Sequence, residues 1–125
     1  MILGCLFAVV ILLSATNNDD TMVKENGVYI VNTTQIGKDV MGYEGPTPLK
    51  VFIKDGKVQK IEFLDNRETP RYWAAAVRHL QNKWDGMTVE QVKSTQVDGR
   101  TGATYSSDAI KQNVRLAVEY YEQHK

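Results

Sequence analysis

The hydrophobic pattern of the chain changes period along its length. Ile2 to Ala15 is apolar apart from Ser14, and a polar stretch from Thr16 to Asp20 follows at once. Gly27 to Thr34 (GVYIVNTT) is rich in Val, Ile, Tyr and Thr and predicts a strand. Leu49–Lys54 and Lys57–Leu64 flank Asp55-Gly56, a dipeptide suited to a type I′ hairpin because both central residues need positive φ. Leu49, Val51 and Ile53 alternate on the first arm. On the second, Val58 is out of phase with Ile61 and Phe63, which predicts a bulge or twist. The period then lengthens. Trp73, Val77, Leu80 and Trp84 recur at helical spacing between Thr69-Pro70, a capping hydroxyl before proline, and the stop Asp85-Gly86. Thr88 to Lys93 predicts a short linking helix. A last helix starts near Ser106-Ser107-Asp108 with a buried stripe of Ile110, Val114, Ala117 and Tyr121. Strands joined by two residues run antiparallel. The expectation is an α+β fold: a small antiparallel sheet with the two main helices on one face.

At 125 residues the chain suits one domain with a modest core. Fifteen basic and fifteen acidic side chains cancel, which argues against nucleic acid as a partner, since phosphate backbones are met by clustered excess Lys and Arg. Cys5 stands alone, excluding an internal disulfide, a CxxC pair, an iron–sulfur spacing or a multi-cysteine metal site. The apolar run Ile2–Ala15 is shorter than the roughly 20 residues a membrane helix needs and suits the core of an export signal. Ser14 and Ala15 offer a cleavage site, although no Lys or Arg precedes the run. The competing reading is a buried core helix. Residues 1–25 are therefore expected to be an export signal or membrane anchor plus polar linker, with residues 26–125 forming the domain. The place is extracytoplasmic: the periplasm, or the outer face of the cytoplasmic membrane with anchoring through residues 2–15.

Candidate chemistry gathers between the linking segment and the last helix, at Val97-Asp98-Gly99-Arg100-Thr101-Gly102-Ala103-Thr104-Tyr105-Ser106-Ser107. Gly102 and Ala103 allow a ligand close to the backbone. Hydroxyls at Thr101, Thr104, Ser106 and Ser107 surround that approach, and the run feeds a helix N-terminus, where free N–H groups favour an anion. These features suit a phosphate site, or equally a capped turn of small polar residues. His79 and His124 lack the partners a metal site needs. Tyr43, in a Gly-flanked loop, is either a lid over a ring or a packing residue.

Asp98-Gly99-Arg100-Thr101-Gly102-Ala103-Thr104 resembles the D-x-x-[S/T]-G-A-T pattern of FMN-binding domains. At average residue usage roughly one in a few thousand chains of this length carries it by chance. Gly42-Tyr43-Glu44-Gly45-Pro46, Asp55-Gly56-Lys57-Val58 and Glu68-Thr69-Pro70 are similar to further family segments, in the same order. The likeness covers about Gly27 to Tyr121. It implies FMN joined by a phosphoester to Thr104, with a flavin transferase as maturation partner. Asp98 would be recognised by that transferase or shape the loop. Thr101, Gly102 and Ala103 would frame the phosphate, and Ser106 and Ser107 would donate to it. Glu68 and Thr69 would lie beside the flavin ring, as in the larger FMN-carrying subunits of Rnf and sodium-pumping NADH:quinone reductase complexes. Those relatives continue with glycines where this chain has Arg71-Tyr72-Trp73. The implied function is electron transfer to or from a redox partner protein or quinone pathway, rather than stand-alone enzyme catalysis. Two alternatives are an exported binding module of the same fold without flavin and a non-covalent FMN binder.

Overall fold

The computed structural model describes residues 21–95 and 104–125. Four strands form an antiparallel meander in the order β1 (Met22–Glu25), β2 (Val28–Asn32), β3 (Leu49–Lys54) and β4 (Lys57–Phe63). The β3–β4 turn has φ of 53° at Asp55 and 75° at Gly56, the two positive values that Asp-Gly was expected to supply. The expected bulge is present. Phe52 pairs with Lys60 but Ile53 pairs with Val58, so Gln59 is skipped. The extra residue restores the phase: Val58 and Ile61 both reach the core while Gln59 and Lys60 stay exposed.

The sheet begins earlier than the sequence pattern predicts. Met22–Glu25, within the predicted linker, pairs with β2 through Met22↔Val31 to Glu25↔Val28. Its turn is Asn26-Gly27, with φ of 52° and 83°, a second hairpin of the same kind. The strand Gly27–Thr34 is correspondingly trimmed to Val28–Asn32.

Three helices follow: α1 (Pro70–Leu80), α2 (Val89–Ser94) and α3 (Thr104–His124). Pro70 starts α1 as expected, but the Thr69 hydroxyl makes no capping bond; its carbonyl takes the Trp73 N–H at 2.9 Å. The helix stops at Leu80, a turn before the expected stop. Trp84 is buried from a turn that ends at Gly86, φ 85°. Thr88 and Gln91 close a reciprocal capping box on α2. The α1–α2 connection is stitched to the β3–β4 hairpin: Gly86 N–H donates to Val58 O and Val58 N–H to Met87 O, both at 2.8 Å.

The core lies between one face of the sheet and α3. Val31, Leu49, Val51, Ile53, Val58 and Ile61 meet Ile110, Val114, Ala117, Val118 and Tyr121, each buried Val, Ile or Leu contributing roughly 1.5–3 kcal/mol. All four residues of the expected stripe are buried. α3 lies across β2 and β3, and α1 packs on α3. At the β4 edge Trp73 meets Phe63 ring-edge to ring-face, centroids 5.7 Å apart. α1 is thus held more by α3 than by the sheet face expected from its stripe.

Candidate functional site

α3 starts two residues before the serines that were expected to cap it. This moves the hydroxyls of Thr104, Ser106 and Ser107. Thr104 becomes the exposed first residue of the helix, and Tyr105, 65% accessible, stands beside it. Ser106 and Ser107 fall in the first turn and are buried. The first N–H groups of a helix lack intrahelical acceptors, and a 21-residue helix presents a positive end. An anion at Thr104 meets that end.

The Ser106 hydroxyl donates to Glu68 Oε1. A hydroxyl has one proton to give, so Ser106 serves Glu68 and not a phosphate. Glu68, 5% exposed, is the junction of the site. Its Oε1 also accepts the Tyr43 N–H at 2.8 Å, and its Oε2 accepts the Glu44 N–H at 2.6 Å. The Asn66 side chain accepts the Glu68 N–H at 2.9 Å. One buried carboxylate therefore ties the 42–45 loop to the first turn of α3. Gly42 is required for this approach: a Cβ there would lie 2.8 Å from Glu68 Cδ. Glu68, expected beside a flavin ring, spends its carboxylate on protein donors. Thr69 remains exposed at the start of α1.

Glu68 also brings together two residues that the sequence did not connect. Tyr43 and Tyr105 are 66% and 65% accessible, and their rings lie 5.8 Å apart, tilted by 39°. The signal for Tyr43 was its Gly-flanked loop. For Tyr105 it was adjacency to Thr104. Their 62-residue separation concealed the pairing. Elsewhere a cleft of about 350 Å³ between α2 and α3 is lined by Trp84, Val92, Thr95, Asp108, Lys111 and Arg115. Asp108 and Lys111 are already ion-paired along its α3 wall at 3.3 Å. Asp98, Thr101, Gly102 and Ala103 lie outside the described residues.

A small α+β domain with an exposed hydroxyl at the positive end of a long helix, and aromatic rings beside it, is built to hold a flat anionic cofactor. Residues 42–119 match the FMN-binding domain family, and that span contains Gly42, Glu68 and Thr104 together. The chain belongs to the FMN-binding domain family and is a flavoprotein. No curated protein matches it. The residues present fit FMN at both ends: a hydroxyl and helix N–H groups for the phosphate, exposed phenol rings for the isoalloxazine.

Proposed function

We propose that this protein carries FMN esterified through its phosphate to Thr104 and works as an exported electron carrier. One observation supports this most directly. Of the aliphatic hydroxyls at the described start of α3, Thr104 is exposed and Ser106 and Ser107 are buried, so an approaching transferase meets Thr104 first. In the attachment step the Thr104 oxygen bonds to the phosphorus of the FMN half of FAD. The pyrophosphate P–O bond breaks, AMP leaves with that oxygen, and the hydroxyl proton passes to the transferase or solvent. No electrons move. Asp98 is recognised by the transferase or shapes the loop, and Thr101, Gly102 and Ala103 frame the phosphate.

The bound flavin supplies the redox chemistry, and the chain supplies position and electrostatics. A tether suits an extracytoplasmic carrier, because a covalent link keeps the local flavin concentration high whatever the site's intrinsic affinity. The partners are a flavin transferase and then a redox protein or membrane quinone pathway. Residues 2–15 direct export and either anchor the chain or are removed.

Co-production with a flavin transferase and FAD should add the mass of one FMN less one water. Without the transferase no covalent flavin should be found. Thr104→Val should abolish the gain at nearly constant volume, Thr104→Ser should reduce it, and Asp98→Ala should lower labelling without unfolding. Peptide mapping that placed flavin on Thr101, Ser106 or Ser107 would reject the residue assignment. Reversible FMN binding with no covalent product would favour the non-covalent reading. Neither would leave a contact-only module of the same fold.

A further inference from the structure

We propose that Tyr43 and Tyr105 together seat the isoalloxazine ring of the flavin, and that Glu68 is the positioning residue that fixes the spacing of the two rings. The inference rests on the reading that flavin is tethered at Thr104, and deepens it by naming what holds the far end of the cofactor. Two large aromatic side chains, each about two-thirds accessible and in contact with each other at 5.8 Å, stand out from the surface of this domain. Phenol rings are electron-rich and isoalloxazine is a flat, electron-poor ring system, so offset stacking between them is favourable. Because the two phenols already touch, they offer an outer face and not a slot between them.

The placement follows from the chain. Tyr105 is the residue after Thr104, so a ring anchored at Thr104 is held within reach of it. Tyr43 is brought to the same place by its backbone, whose N–H is fixed on Glu68 Oε1, and Tyr105 by its neighbour Ser106, which donates to the same oxygen. A single carboxylate oxygen therefore controls both rings. The tether supplies the proximity, so even a weak stacking contact is well populated. The competing place for the ring is the α2–α3 cleft, where charged Lys111, Asp108 and Arg115 line the walls and compete for an apolar ring only poorly.

The test uses the full chain carrying covalent flavin, as wild type, Tyr43→Leu, Tyr105→Leu and the double variant. An excited flavin takes an electron from a touching phenol and returns it, which shortens its emission lifetime. Lifetimes report only the molecules that carry flavin, so a lower labelling yield does not alter the reading. Both tyrosines are exposed, and far-ultraviolet circular dichroism confirms that the fold is retained. The wild type should decay severalfold faster than free FMN. The double variant should approach free FMN and lose its visible circular dichroism, with the single variants between. Glu68→Gln, with both rings present, should split the decay into quenched and unquenched parts; a decay identical to wild type would remove Glu68 from the seat. A double variant with wild-type lifetime and visible dichroism would place the ring elsewhere and overturn the proposal. A wild type that gains no flavin mass at all would overturn the Thr104 reading and the seat together, whereas mass gain with unchanged lifetimes overturns the seat alone.

Discussion

Two side chains buried against glycines carry much of the specificity of this small domain. Glu68 is the more exacting. Its three donors come from the 42–45 loop and from α3, and loss of the carboxylate strands a buried hydroxyl and leaves two part-buried backbone N–H groups without it. The buried hydroxyl left unpaired costs about 1–3 kcal/mol, and the two lost bonds to a charged acceptor add to it. Glu68→Ala should therefore destabilise strongly, and Ser106→Ala should cost only the one bond to a charged acceptor, about 1.5–3 kcal/mol. Chemical denaturation midpoints compare them directly, and equal losses would contradict the junction role. Asn113 is the second. It is fully buried and donates through Nδ2 to Thr47 O at 2.9 Å and Thr47 Oγ1 at 3.2 Å. Among the described residues its Oδ1 has no hydrogen-bond partner, and it faces Gly37. A Cβ at Gly37 would collide with that amide and sit 3.0 Å from Thr33 O. Gly37→Ala should accordingly lose about 1–3 kcal/mol as an overpacked site, and a wild-type midpoint would show that the amide can move aside.

Elements were legible in the sequence where a local signal decided them and illegible where a partner did. Asp55-Gly56 specified its hairpin, and the out-of-phase Val58 specified its bulge, because both signals are local. Asn26-Gly27 is an equally good turn signal, but β1 is Met-Val-Lys-Glu, mostly exposed, and reads as a strand only once β2 is beside it. The stripe of α3 marks the helix in sequence, but the helix starts at Thr104, two residues before its apparent cap. Ser106 looks like a cap in sequence, and it is buried because Glu68, 38 residues upstream, accepts its proton. A resemblance put Glu68 near the site; only the fold shows which atoms it serves. The α2–α3 contact gives a prediction at this scale. Lys93 Nζ donates to Glu122 Oε1 at 2.7 Å and lies 3.4 Å from Glu90 Oε2. The hydrogen bond to Glu122 holds the Lys93 ammonium above its ordinary 10.5, and the same bond holds the Glu122 carboxyl below 4.5. Glu122 thus contributes fully above 4.5 and loses its contribution as pH falls through its lowered value. Lys93 contributes fully below 10.5 and loses its contribution as pH rises through its raised one. Glu122→Gln should reduce stability slightly at neutral pH, less so in high salt, and not at all once the wild-type carboxyl is protonated. Urea midpoints at neutral pH and well below 4.5 check this, and a difference that persists in acid would mean that packing, not charge, is lost.

Across the whole molecule, the proposed flavin end and the Lys93–Glu122 contact sit near opposite ends of α3, about 27 Å apart along its axis at 1.5 Å per residue, so changes at one should add to changes at the other. The other boundary that matters is at the front of the sheet. β1 is an outer strand, and Thr21 just before it is buried, its carbonyl accepting the Asn32 N–H at 2.7 Å. The fold therefore uses residues that composition alone assigned to a linker, and any export signal has to end before Thr21 for the sheet to survive processing intact. A chain begun at Thr21 should keep the sheet and accept flavin as the full chain does. A chain begun at Gly27 loses β1, and β2 becomes an unprotected edge whose Val28–Asn32 backbone groups are free to pair with another copy. It should melt lower and associate as concentration rises, which light scattering beside thermal unfolding would show. Fusing residues 1–20 to a reporter active only outside the cytoplasm completes the test, because this piece contains the apolar run and none of β1. Reporter activity would establish that the run directs export. A reporter that works only in the cytoplasm, together with instability of the chain begun at Thr21, would instead make Ile2–Ala15 part of the core and withdraw the extracytoplasmic assignment.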